Sequence, residues 1–141
     1  MKDSDPSSWI CAGNTGGVQA LIWDFTNTHP GLKIHNQAFY KRDLPAEPKN
    51  KITFTLSNLP KGKYNAKTYK VGYRVNDACA TYRDLGSPAQ LTKALVAKIK
   101  AENSGAPLEV RTMKIGRDGK FEQQFDLREN DVVLITLKPQ R

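Results

Sequence analysis

Tyr82, Arg83 and Asp84 stand side by side in VGYRVNDACATYRDLGSP, residues 71–88, and look like a site. The same stretch carries Arg74, Asn76 and Asp77. Paired carboxylates can do general acid-base work. Asp24, Asp43, Asp77, Asp84 and Glu102 are candidates by residue type. No spacing favours a pair, and each reads more simply as a turn, cap or surface acid.

Other chemistries lack their residues. The glycines of GNTGG fall between two strand-like runs, where a turn explains them better than a phosphate loop. There is no G-x-S-x-G elbow for a serine nucleophile. Cys11 and Cys79 have no evident His partner and read as two independent thiols, with a disulfide between them as the alternative. Two cysteines cannot complete a tetrahedral zinc site alone, and His29 and His35 have no ligand spacing with either. No metal and no cofactor is expected. Trp9, Trp23, Tyr40, Tyr69, Tyr73 and Tyr82 could stack sugars if several shared an exposed sheet face, but strand positions favour a core role.

The elements that must position these residues are mostly strands. SWICAG (8–13) and GVQALIWDF (17–25) flank the turn NTGG and read as a hairpin. Val18, Ala20 and Ile22 alternate with Leu21, Trp23 and Phe25, so both faces are apolar and the strand reads as central, covered on both sides. In KITFTLSNL (51–59), Ile52, Phe54 and Leu56 face in. KYNAKTYKVGYRV (63–75) reads as one long strand with Tyr69, Val71, Tyr73 and Val75 on one face. Ser87-Pro88-Ala89-Gln90 fits a capping box, so a helix is expected to start at Ser87 with Leu91, Leu95 and Ile99 as its stripe. PLEVRTMKI and KFEQQFDL, joined by GRDG, read as a hairpin, and NDVVLITLK (130–138) as a buried strand. The fold class is mostly β: an antiparallel, jelly-roll-like β-sandwich of seven or eight strands with a helical insertion at about 78–104.

At 141 residues the chain is one domain, spanning 8–138. The start, MKDSDPSSW, has no apolar h-region, and 1–7 reads as a disordered, ragged edge of an excised piece. No apolar run approaches the ~20 residues of a bilayer span, so no membrane partner is expected. The net charge is +8, but the 22 Lys and Arg are scattered and not interleaved with an aromatic platform. Nucleic acid is not expected as a partner.

Four segments occur in one order: VQALIWDFT, NQAFYKRDLP, YKVGYRVNDACATYRDLGSPAQLT and ENDVVLITL. Together they resemble the C-terminal β-sandwich accessory domain of glycoside hydrolase family 39, the β-xylosidase type. The resemblance runs from about Trp9 to Leu137. In that family a (β/α)8 barrel carries the catalytic Glu pair, and a barrel needs about 250 residues that this chain lacks. The resemblance therefore implies no catalytic residue here. It implies a non-catalytic accessory domain that packs against the barrel of the same polypeptide and supports it. It also implies an edge open to a strand from upstream of the barrel, and a bacterial parent enzyme exported to the periplasm or medium. Arg74, Asn76, Asp77, Tyr82 and Arg83 are the expected interdomain or active-site-rim contacts, with a neighbouring subunit as another partner. A plainer reading has Asn76 and Asp77 satisfy backbone groups at a strand-to-helix corner. The alternative function is an autonomous carbohydrate-binding module, with an oligosaccharide as partner.

Overall fold

A computed structural model describes residues 8–13, 16–26 and 45–140. Seven strands occur among them: β1 Ser8–Ala12, β2 Val18–Trp23, β3 Pro48–Leu56, β4 Gly62–Val71, β5 Glu109–Ile115, β6 Phe121–Arg128 and β7 Val132–Gln140. Two helices, α1 Ala78–Asp84 and α2 Lys93–Glu102, lie between β4 and β5. One sheet has five strands in the order β1-β2-β7-β4-β5, and the other pairs β3 with β6. Every pairing is antiparallel. The protein is a β-sandwich with its helical insertion where expected.

Alternation builds the core. Val18, Ala20 and Ile22 of β2 and Val133, Ile135 and Leu137 of β7 are buried on the inner face of the larger sheet. Phe54 and Leu56 of β3 and Phe121 and Leu127 of β6 meet them from the smaller sheet. Phe54 and Phe121 pack edge to face with centroids 6.4 Å apart. The β1–β2 hairpin forms, with Ala12 opposite Val18.

Three expectations are corrected. First, GRDG is not a hairpin turn. β5 pairs with β4 and β6 with β3, so Gly116–Gly119 carries the chain from one sheet to the other. Period-2 alternation names a strand's faces but not its partner. Second, β4 turns the other way. Tyr64 and Ala66 are buried, while Val71 is 54% exposed. The strand ends at Val71, and Gly72 and Val75 close a tight turn through reciprocal backbone bonds of 3.0 Å. Third, β2 is paired on both edges, but its second face carries Leu21 and Trp23 only half-buried, and Phe25 just beyond is 79% exposed.

The sheets are also tied by charge. Between β6 and β7 the chain crosses sheets in a turn whose last residue is Asp131. Its side chain is wholly buried and accepts from Arg128 N at 2.6 Å. Lys70 of β4 reaches it at 2.6 Å and also donates to Asp126 O of β6 at 3.2 Å. Removing one partner of a buried pair leaves the other uncompensated. Lys70→Met is expected to cost about 3–5 kcal/mol, read as a lowered urea midpoint at unchanged slope. A loss below 1 kcal/mol would show that solvent or another cation compensates Asp131.

Candidate functional site

The corner after β4 gathers most of the residues singled out in the sequence. Its backbone is tightly bent: Arg74 has φ 57 and Asn76 φ 49. Left-handed backbone at a non-glycine residue needs compensation, and Asn is among the residues that tolerate it. Asn76 supplies the compensation here. Its Nδ2 donates to Lys70 O at 2.8 Å, and its Oδ1 accepts from Gly105 N at 3.1 Å. One side chain thus ties the end of β4 to the segment leading into β5.

Asp77 caps α1. Its Oδ1 accepts from Cys79 N at 3.1 Å and Ala80 N at 3.0 Å, and its Oδ2 accepts from Arg74 N at 3.2 Å. Helices leave their first N–H groups unpaired, and an N-terminal Asp satisfies them. Arg74 Nη1 bonds both oxygens of Asp84, at 3.2 and 2.9 Å, and its guanidinium lies 5.6 Å from the Tyr73 ring centre. Both members of the ion pair are about half exposed, so it contributes little to stability. Tyr82 Oη donates to Pro88 O at 3.0 Å. Arg83 lies in the last turn of α1 and is half-buried.

The helix expected from Ser87 divides differently. Ser87 has φ 50 and follows Gly86 at φ 83. Gly86 N donates to Arg83 O at 2.8 Å and Ser87 N to Tyr82 O at 3.2 Å, closing α1 rather than opening a helix. α2 starts later, with Thr92 Oγ1 accepting from Leu95 N at 3.3 Å. Leu91 therefore precedes the helix and is 43% exposed, while Leu95 and Ile99 are half-buried. The signals for this arrangement were Asp77 ahead of ACATYRD and the Leu85-Gly86 step after it.

A cleft of about 620 Å3 opens beside the corner. Gly72, Tyr73, Asn76 and Asp77 line one side, and Glu47, Glu129 and Asn130 the other. Sequence reasoning missed the second wall. Asn130 Oδ1 accepts from Thr26 N at 3.1 Å, and Asp24 Oδ2 accepts from Asn130 N at 3.3 Å. These contacts span more than 100 residues, beyond the reach of any local pattern. Of the acids weighed above, Asp24, Asp77 and Asp84 all hold turns, caps or ion pairs. Glu102 pairs with Lys98 along α2 at 2.6 Å. Asp43, Tyr40, His29, His35 and residues 1–7 lie outside the described residues. Cys11 and Cys79 are exposed, free thiols.

Comparison with known proteins settles what kind of domain this is. No family model and no curated protein matches the chain. Among solved structures, a GH39 enzyme from Xanthomonas axonopodis pv. citri matches 97% of this chain at 32% identity and TM-score 0.87. This is a β-sandwich domain of the glycoside hydrolase family 39 type. A monomeric β-xylosidase from Caulobacter crescentus CB15 matches 98% of it at 28% identity and TM-score 0.86. A second structure of a Caulobacter crescentus GH39 β-xylosidase, at 24% identity and TM-score 0.65, shares the fold. The chain spans only 26% and 27% of the first two enzymes. In those two enzymes the matched domain is a fraction of a longer glycoside hydrolase.

Two substitutions test the corner. Asp77→Ala is expected to cost about 1–2 kcal/mol through lost capping. Ser87→Gly relieves a left-handed Ser and is expected to raise stability by up to about 1 kcal/mol. Thermal melts of the 141-residue chain measure both. A destabilised Ser87→Gly variant would restore the capping-box reading.

Proposed function

We propose that this chain is a non-catalytic accessory domain of a β-xylosidase-like glycoside hydrolase, packing against and supporting a (β/α)8 catalytic barrel in the same polypeptide. The observation that carries this is an asymmetry of coverage. The family 39 enzyme from Xanthomonas is matched over 97% of this chain but 26% of its own. A barrel takes about 250 residues, more than this chain holds. The catalytic Glu pair then lies outside it. The Caulobacter relative is a monomeric β-xylosidase, which favours a partner domain on the same polypeptide over a neighbouring subunit.

The corner is offered as the contact with the barrel or its active-site rim. Asn76 and Asp77 are engaged in shaping it, while Arg74 presents an exposed guanidinium beside Tyr73. Tyr82 and Arg83 follow on α1. An upstream strand has room to join the smaller sheet, because β3 and β6 each pair on one edge only among the described residues.

The test is hydrolysis of an aryl β-xyloside. The 141-residue chain alone is expected to give no turnover, and the full polypeptide to lose activity or stability when the domain is deleted. In the full polypeptide, Arg74→Ala is expected to lower activity with an unchanged melting temperature. Lost folding without a specific activity loss would leave the corner purely structural. Turnover by the isolated chain would overturn the accessory reading.

A second reading, an autonomous carbohydrate-binding module, draws on the exposure of Trp9 at 65% and Phe25 at 79%. It predicts calorimetric binding of xylo-oligosaccharides by this chain, and a flat titration removes it.

A further inference from the structure

The outer face of the five-stranded sheet, turned away from the core, is divided in two. At the corner end it is apolar. Trp9 stands opposite Leu21, Leu21 opposite Leu134, and Leu134 opposite Tyr69, one continuous row across four strands. The next row joins Trp23, Val132 and Val71. Trp9 and Val71 are more than half exposed, and Val132 is 37% exposed. At the other end the same face is basic. Lys63 stands opposite Lys114, Lys138 opposite Asn65, and Lys67 opposite Thr136. None of the outward positions on these five strands, among the described residues, is Asp or Glu.

We infer that this face is the surface on which the rest of the polypeptide docks, and that the docking partner presents an apolar ridge flanked by carboxylates. The inference rests on the accessory-domain reading and says which face serves it. Two side chains as large as Trp, with the neighbouring rows, form a patch of several hundred Å2, at the upper end of what monomers leave uncovered. Interfaces between domains of one chain bury areas of this order.

Charge and tethering choose the occupant. A second copy would bring its own four lysines and its own net +8 toward the first, so like charges oppose self-pairing. The matched enzymes carry about three-quarters of their length outside this domain. A tethered domain meets its partner at millimolar effective concentration, which favours it over any free partner. Val71 belongs to both the apolar row and the cleft beside the corner, so docking here also brings the corner against the same partner.

Hydroxyl-radical footprinting read by mass spectrometry tests this. Trp9 and Trp23 are expected to oxidise several-fold more slowly in the full polypeptide than in the 141-residue chain. Lys63→Glu/Lys114→Glu/Lys138→Glu is expected to return the rate toward that of the isolated chain, with the isolated variant's melting temperature confirming that it folds. Equal oxidation in both settings overturns the docking face. Domain deletion still reports on the accessory role, so the two failures are distinguishable. Protection of both Trp in a dimer of the isolated chain, seen by sedimentation velocity, overturns the choice of occupant. So does their protection by vesicles of anionic phospholipid.

Discussion

Asp131 is wholly buried, and its carboxylate constrains much of the structure around it. A charge in that setting needs a counter-charge and N–H donors. Lys70 supplies the first, Arg128 N the second. To reach Asp131, Lys70 must point inward, which sets the facing of the end of β4. That facing turns Tyr69 and Val71 outward. Gly72 is fixed by the same group, because a Cβ there would lie 1.8 Å from Asp131 Oδ1. Asp131 O also accepts from Asp24 N, holding the end of β2 against the start of β7. One carboxylate thus sets the end of β2, the facing of β4, the β6–β7 crossing and the turn that opens the corner.

The corner inherits this geometry. Because β4 must stop at Gly72, the chain leaves the sheet through left-handed residues and re-enters at Leu108, whose N–H donates to Thr68 O at 2.8 Å. Asn76 and Asn103 stitch the excursion together from within. Asn103 Nδ2 reaches Thr81 Oγ1 on α1 and Ile99 O on α2. The helices are short and polar, with Ala80 their only fully buried residue among those described. Side-chain bonds at their ends therefore hold them more than apolar burial does. Such an insertion keeps a shape while leaving most of its surface for contact.

The sequence showed the strands and the fold class because alternation survives in nearly every one. Ile52, Phe54 and Leu56 face inward as their spacing says. It misled wherever a choice depended on a distant partner. The facing of β4 is set by Lys70 and Asp131, which are 61 positions apart, and the aromatic alternation of Tyr69, Val71 and Tyr73 pointed the other way. GRDG has hairpin chemistry, yet the strands it joins pair elsewhere. Ser87-Pro88 has helix-start chemistry, yet Gly86 ahead of it completes a helix end, and one serine cannot serve both. The corner residues were legible as a group because they are contiguous. The cleft wall of Glu47, Glu129 and Asn130 was not, because only tertiary contacts assemble it.

The two faces of the larger sheet answer different requirements. The inner face is closed by β3 and β6, whose Phe54, Leu56, Phe121 and Leu127 share one core with the buried residues of β2 and β7. The outer face keeps apolar side chains in register across four strands, where folding alone would tolerate polar ones. An exposed apolar sheet face is a hazard for association. Here lysines share the face, and a net charge of +8 opposes encounter between copies. Repulsion of that kind discriminates against self while leaving a carboxylate-bearing partner attracted. On the docking reading, the four lysines of this face serve specificity. Lys63, Lys67, Lys114 and Lys138 are scattered along the sequence and come to share one face only when the strands pair.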